Sequence, residues 1–141
     1  VEGRNFPHRI LELANEVLAG KRDALSVVTD EVGNPTYVVD LAEAIAKLIN
    51  THAYGIYHLV NEGSASRFEF AQALLDASGR SHVPLTPIMS SAFQRASTPP
   101  PYAPLANMAA AALGIRLRPW RDAVAAFVSD AGYRRSNGEG L

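Results

Sequence analysis

The sequence predicts an α/β fold, because segments with helical periodicity alternate with short β-branched segments. Apolar residues recur at helical spacing in five segments, and most of these begin at a capping residue or end at a glycine. Residues 25–28 form a short apolar run that is typical of a buried strand. The expected order is α-β-turn-β-α-β-α-loop-α-α, in a single unit of residues 1–141.

The first predicted helix begins at Asn5 and ends at Gly20. An asparagine side chain accepts a hydrogen bond from a backbone N–H that the first turn leaves unpaired, and Pro7 is tolerated in that turn. Gly20 supplies the conformational freedom that commonly ends a helix. The buried face is expected to consist of Phe6, Ile10, Leu13, Ala14, Val17 and Leu18.

A turn at residues 33–35 separates the first predicted strand from a second short extended run. Pro35 favours an extended conformation at Asn34 and prevents a helix from continuing through the turn. The next helix is predicted to begin at Asp40, where an acidic cap and Glu43 form a variant of the capping box.

The second half of the chain follows the same logic. Residues 55–60 predict a strand, and Ser66 with Glu69 predicts a helix that starts with a capping box. The proline-rich residues 84–104 predict an irregular connector. Asn107 is expected to cap a short alanine-rich helix, and Pro119 to be the first residue of the last helix.

Composition excludes several classes of function. The formal net charge is −1 and no long basic run occurs, which argues against nucleic acid or an anionic membrane surface as a partner. No stretch reaches the roughly 18 uninterrupted apolar residues of a membrane span. The absence of cysteine fits a cytoplasmic protein. No metal site is expected, because no two histidines share a helix at ligand spacing.

The motifs of redox catalysis are missing from this sequence. No glycine-rich turn follows a strand, so the chain has no dinucleotide phosphate cradle and no cofactor-binding residue of its own. None of the five tyrosines has a lysine four residues further on, where a cation would lower the pKa of the phenol for proton transfer. We therefore expect no catalytic residue in residues 1–141.

Four ordered blocks nevertheless resemble the dTDP-4-dehydrorhamnose reductases, which are extended short-chain dehydrogenases/reductases. They are Asn5-Phe6 with its helix, the Gly33-Asn34-Pro35-Thr36-Tyr37 turn followed by Asp40-Leu41-Ala42, residues 55–71, and residues 113–127 around Leu117-Arg118-Pro119-Trp120. The resemblance implies an α/β fold corresponding to the C-terminal portion of such a reductase, with the N-terminal Rossmann half absent.

The resemblance also implies a division of labour. The missing half would hold NADPH or NADH and the catalytic Ser/Thr, Tyr and Lys, and hydride would pass to the C4 keto group of dTDP-4-dehydro-L-rhamnose. The present chain would bind the nucleotide sugar and orient its ketone. By itself it is expected to be inactive.

The same resemblance nominates substrate-binding residues. Asn5 is expected near the diphosphate, although it equally fits a plain helix cap, and Arg9 either reaches the same anion or remains solvated. Thr36 and Tyr37 lie in the turn that faces substrate in the family, although turn and strand preferences also explain them. Arg95 matches the first arginine of a family motif.

Two departures from the family pattern bear on the substrate. Pro99 occupies the position of the second arginine of that motif, and Ala106 stands where an aspartate is usual. The sequence therefore leaves open a reductase or epimerase that acts on another nucleotide sugar. It also leaves open a non-catalytic regulatory homologue of the methionine adenosyltransferase β-subunit type.

The expected partners follow from the predicted strand at residues 55–60. In the parent fold this strand would dock on a sheet that the missing Rossmann half supplies. Alone, its backbone groups and apolar side chains would be uncovered. We therefore expect the chain to be part of a longer protein or to form a homodimer.

Overall fold

A computed structural model describes residues 5–92 and 98–133. The described part contains five α-helices and two sheets of two strands each. In chain order the elements are α1 (Phe6–Leu18), β1 (Leu25–Val28), β2 (Val32–Gly33), α2 (Val38–Ile49), β3 (Ala65–Ser66), α3 (Arg67–Ala77), β4 (Leu85–Ile88), a 3₁₀ turn (Ser90–Ala92), α4 (Met108–Ala112) and α5 (Trp120–Asp130). None of the described helices is long and apolar enough to cross a bilayer.

The two sheets pair distant parts of the chain. β1 pairs with β4 in parallel, with Leu25 opposite Leu85, whereas β2 pairs with β3 in antiparallel, with Val32 opposite Ser66. β4 corrects the prediction that residues 84–104 are irregular throughout. Pro87 is tolerated in β4 because β1 is its only partner strand among the described residues, and an edge strand can lack an N–H on its free side.

The main core lies where α1, α3 and α5 pack over β1. Its most deeply buried members include Ala14, Leu74, Leu75 and Val128, which are fully excluded from solvent, together with Leu25 of β1. Burying one leucine side chain fully contributes about 1.5–3 kcal/mol. This core therefore fixes the relative positions of the three helices.

A second, smaller core lies under the inner face of α2. Ala44 packs there with Ala110, Ile115 and Leu117, and Leu48, Tyr57 and Leu59 complete the cluster. A neighbouring, outer face of α2 is apolar but uncovered: the exposed fractions are 69% at Val38, 45% at Ile45 and 69% at Ile49. These three residues are spaced by seven and four, so they share one face of the helix.

Most helix ends follow the local sequence signals. The Oδ1 atom of Asn5 accepts a hydrogen bond from the backbone N–H of His8 at 3.1 Å, which confirms the predicted cap. Ser66 and Glu69 form the complete capping box. Gly20 adopts φ +69° after α1, a conformation that favours glycine.

Three predicted helix starts need correction or qualification. α2 begins at Val38, two residues before Asp40, because the Asp40 carboxylate is buried against the Arg118 guanidinium at 2.6 Å instead of capping the helix. α5 begins at Trp120, and Pro119 precedes it as the cap with an extended ψ of 143°. Asn107 precedes α4 as predicted, but its side chain makes no capping bond.

The predicted strand at residues 55–60 is wrong. This segment forms no ladder with any strand in the described ranges. Instead, the side-chain amide of Asn107 serves as its partner. Its Oδ1 atom accepts from the Val60 N–H at 2.9 Å, and its Nδ2 atom donates to the Val60 carbonyl at 2.6 Å. A β-prone sequence becomes a strand only where a neighbouring strand is present to pair with it.

Candidate functional site

A cleft of about 280 Å³ opens between the start of α1, the turn before α2 and α5. We call it the aromatic cleft. Three of the predicted site residues, Asn5, Thr36 and Tyr37, line it together. Asn5 lies 31 positions before Thr36 in the chain, and the packing of α1 and α5 on the main core brings it beside the turn.

Aromatic rings form the floor of this cleft. The Tyr37 and Phe127 rings meet edge to face with centroids 6.0 Å apart, and the His8 ring meets Phe127 in the same way at 5.4 Å. Phe70 and Trp120 form a further edge-to-face pair at 6.3 Å. Such rings offer flat apolar surfaces against which a base or a sugar face can pack.

Asn5 combines a structural role with a place in the cleft. Its Oδ1 atom accepts from the His8 backbone N–H and also contacts Nδ1 of the His8 ring. Both contacts use the oxygen. Within the described ranges, the Asn5 amide nitrogen is therefore the group that a ligand oxygen can engage. Capping and ligand binding are compatible at this residue.

Thr36 and Tyr37 are held differently, although they are neighbours. Thr36 is exposed, and its hydroxyl donates to the Asn34 carbonyl at 3.1 Å within the turn. The Tyr37 hydroxyl donates to Oδ2 of Asp130 at 3.0 Å. Burial, followed by this bond to Asp130, raises the pKa of the Tyr37 phenol above its usual value of 10.0. Tyr37 thus stays protonated at neutral pH and acts as a wall of the cleft and a hydrogen-bond donor.

The two predicted arginines do not join these residues in the described structure. Arg9 lies one turn along α1 and pairs with the carboxylates of Glu12 at 3.3 Å and Glu16 at 4.0 Å, outside the lining of the aromatic cleft. Arg95 lies outside the described residues.

A second cleft of about 360 Å³ adjoins the first and shares Pro35 and Phe70 with it. We call it the proline cleft, because Pro99 and Pro100 form part of its wall. Its cation is Arg67, whose Nε atom donates to the buried Glu31 carboxylate at 2.6 Å while about half of the arginine side chain remains exposed. The guanidinium also stacks over the Phe6 ring at 5.6 Å from its centroid.

The amino end of α3 borders the proline cleft but is already occupied by a carboxylate. Oε2 of Glu69 accepts from the Ser66 N–H at 2.7 Å, and the Ser66 hydroxyl accepts from the Glu69 N–H at 3.1 Å. The bond from the Ser66 backbone holds the pKa of the Glu69 carboxyl below its usual 4.5. A ligand anion is therefore better served by the Arg67 guanidinium than by this helix end.

Sequence reasoning missed His8, Phe127 and Arg67 as lining residues. The periodicity of α1 and α5 predicts which positions are buried, but it does not show which partly buried positions border a cleft. Arg67 follows the capping serine directly. No local sequence signal places it beside the turn at residues 33–37, because the two segments are about 30 positions apart.

Most of the chain matches one known protein family. Residues 1–132 match the family described as the RmlD substrate binding domain. The chain belongs to this family.

Two similar proteins each match most of this chain. The spore coat polysaccharide biosynthesis protein SpsK of Bacillus subtilis is 37% identical over 128 residues, which are 91% of this chain and 43% of SpsK. A dTDP-4-dehydrorhamnose reductase of Mycobacterium tuberculosis is 37% identical over 110 residues, which are 77% of this chain and 36% of that enzyme. The chain thus spans less than half the length of these relatives.

A solved structure confirms the fold of this family member. The dTDP-4-dehydrorhamnose reductase of Bacillus anthracis, solved in complex with NADP, superposes with a TM-score of 0.80 at 32% identity. The match covers 91% of this chain and 43% of that one. The predicted α/β class and the predicted resemblance to the extended reductases are therefore both confirmed.

Proposed function

We propose that this chain is the sugar-nucleotide-binding portion of an NADPH-dependent dTDP-4-dehydrorhamnose reductase in dTDP-L-rhamnose biosynthesis. The observation that carries the proposal is the 37% identity to a dTDP-4-dehydrorhamnose reductase over 77% of this chain. The aromatic cleft supports it, because Asn5, Thr36 and Tyr37 line one concave surface.

In this proposal the residues of the chain bind and orient, and they transfer no hydride. The rings of Tyr37 and Phe127 pack against the base or the sugar, and the Asn5 amide donates to a ligand oxygen. The Thr36 hydroxyl, whose proton is donated to the Asn34 carbonyl, accepts from a ligand hydroxyl. Arg67 at the neighbouring proline cleft, and Arg95, are the proposed diphosphate cations. Binding the dTDP part of the substrate in one position places its ketone at reacting distance from the nicotinamide.

The nicotinamide cofactor is proposed to bind the remainder of a longer protein. Within the described ranges β1 leads into β2, not into a helix through a glycine-rich turn, so the chain's own residues do not fit a dinucleotide. NADP in the Bacillus anthracis structure supports NADPH as the cofactor. By itself, the chain is proposed to be catalytically incomplete.

The uncovered apolar residues indicate where that remainder docks. The outer face of α2 is apolar and exposed, and the side chains of Tyr54 and Ile56, which follow α2 in the chain, are each 93% accessible. We propose the cofactor-binding half as the partner of these residues, with a second copy of the chain as the substitute when that half is absent.

The identity of the sugar is a separate proposal. SpsK is named for spore coat polysaccharide biosynthesis and not for one sugar, so its name leaves the sugar open. With Pro99 and Ala106 at positions where the family has charged residues, a different dTDP-keto sugar is the second candidate. A regulatory role of the methionine adenosyltransferase β-subunit type is not favoured, because the similar proteins of Mycobacterium tuberculosis and Bacillus anthracis are named reductases.

Nuclear magnetic resonance titration of the 141-residue chain with dTDP tests the binding role. We expect shift changes centred on Asn5, Thr36 and Tyr37, with weaker responses to UDP and GDP at equal concentration. The same sample with NADPH and dTDP-4-dehydrorhamnose should show no NADPH oxidation. Shift changes confined to residues outside both clefts would contradict the binding role, and turnover would contradict catalytic incompleteness.

A further inference from the structure

Behind the aromatic cleft, a buried asparagine holds the turn that faces the ligand. Asn61 is fully excluded from solvent. Its Oδ1 atom accepts from the Tyr37 backbone N–H at 2.7 Å, and its own backbone N–H points to the Thr36 hydroxyl at 3.4 Å. One residue thus contacts both members of the turn, from the side opposite to the ligand.

The orientation of the Asn61 amide is fixed by its other partners. Its Nδ2 atom donates to Oδ2 of Asp40 at 2.7 Å and to the Arg118 carbonyl at 3.0 Å. Asp40 is itself anchored by the Arg118 guanidinium at 2.6 Å. A flipped amide would set its NH₂ against the Tyr37 N–H and its oxygen against two acceptors, so only one orientation satisfies all three partners.

Resting on the function proposed above, we propose that Asn61 is a positioning residue for nucleotide-sugar binding. Tyr37 caps α2 with no side-chain bond to the helix, so its backbone depends on a neighbour for its place. Asn61 supplies that bond and thereby sets the direction in which the Tyr37 ring enters the cleft. Asp40 and Arg118 act through Asn61 and do not reach the ligand.

The test compares two asparagines that each hold a backbone segment. Asn61→Leu removes the bond to Tyr37, and Asn107→Leu removes the bonds to Val60, which lies outside the aromatic cleft. For Asn61→Leu we expect the dissociation constant for dTDP and the exchange rate of the Tyr37 amide hydrogen each to rise about tenfold. Asn107→Leu should change neither by more than about twofold.

A reciprocal variant keeps the test decisive if Asn61→Leu fails to fold. In Asp40→Asn with Asn61→Asp, the new carboxylate still accepts from the Tyr37 N–H and from the new amide, and only the Arg118 carbonyl loses its donor. This double variant should retain protection of the Tyr37 amide and bind dTDP within about threefold of the wild type. A double variant that protects the Tyr37 amide as the wild type does, but binds dTDP much more than threefold more weakly, would contradict the inference, because the position of this amide would then not determine the affinity.

Two further results would overturn the inference. One is an Asn61→Leu protein that binds dTDP as tightly as Asn107→Leu does. The other is a Tyr37 amide that exchanges no faster after the substitution. A wild-type chain that does not respond to dTDP contradicts the proposed function instead, and the exchange measurement then decides the role of Asn61 on its own.

Discussion

At the residue scale, Asn5 joins helix capping to the lining of the aromatic cleft, and one substitution separates the two roles. Serine caps helices about as well as asparagine, so Asn5→Ser should change the free energy of unfolding by less than about 0.5 kcal/mol. It removes the amide donor, however, and the affinity for dTDP should fall about fivefold. Chemical denaturation and dTDP titration measure the two effects. An unchanged affinity would show that Asn5 caps α1 and does not contact the ligand.

Gly63 offers a second residue-scale prediction. It adopts φ +88°, and a Cβ atom added there would lie 3.0 Å from Cδ1 of the buried Trp120 ring. Gly63→Ala should therefore lower the free energy of unfolding by about 2–4 kcal/mol, because backbone strain and steric conflict act together.

Gly20→Ala is the matched control for Gly63→Ala. Gly20 has a similar φ of +69°, but no atom lies within 4 Å of the added Cβ. Gly20→Ala should therefore lower the free energy of unfolding by only the backbone-strain contribution, about 1 kcal/mol. Equal losses in urea denaturation would show that contact with Trp120 contributes nothing.

At the element scale, local signals identified helix ends well and strands poorly. The cap at Asn5 and the capping box at Ser66 act within one turn, so the sequence alone specifies them. β4 forms because β1 lies beside it and pairs with it. Residues 55–60 form no strand because no described strand lies beside them. Sheet pairing depends on residues that are distant in sequence, which no local window contains.

The α3 capping box predicts a pH dependence of stability. The Ser66 backbone bond lowers the folded-state pKa of Glu69 below 4.5, so folding favours the ionised carboxylate. This contribution is fully present above the unfolded-state pKa, and it is lost as pH falls from about 4.5 through the lowered folded value. Urea denaturation between pH 7 and pH 3 should show this loss.

Glu69→Gln is the control for that pH dependence. Glutamine keeps the reciprocal bond to Ser66 but cannot titrate, so the acid-dependent loss of stability should be smaller in this variant than in the wild type. Identical pH profiles for the two proteins would show that the Glu69 carboxylate contributes nothing to the acid sensitivity of the fold.

At the scale of the whole molecule, the uncovered face of α2 predicts self-association of the isolated chain. Ile49 is 69% exposed on a face whose neighbours are also apolar. In sedimentation velocity, the average mass should rise with concentration for the wild type and stay near that of the monomer for Ile49→Glu. Met89→Glu, at an exposed apolar residue beyond β4, is the control and should still associate. A wild-type chain that remains monomeric would contradict this prediction.

The candidate site could be predicted in part, because family resemblance carries information that local propensity lacks. The resemblance nominated Asn5, Thr36 and Tyr37, and the fold places them around one cleft. It did not reveal the contact between Asn61 and Tyr37. The sequence predicts that Asp40 caps a helix, whereas in the folded chain its carboxylate binds Arg118 and the Asn61 amide. Contacts across 20 or more residues were the part that the sequence left open.

The central claim is that the aromatic cleft receives the nucleotide of a dTDP-sugar. Intermolecular nuclear Overhauser effects between dTDP and the isotopically labelled chain test it most directly. We predict contacts from the thymine or deoxyribose protons to the rings of Tyr37 and Phe127. Contacts found instead only around Glu62 and Arg116, which line a separate cleft, would contradict the claim.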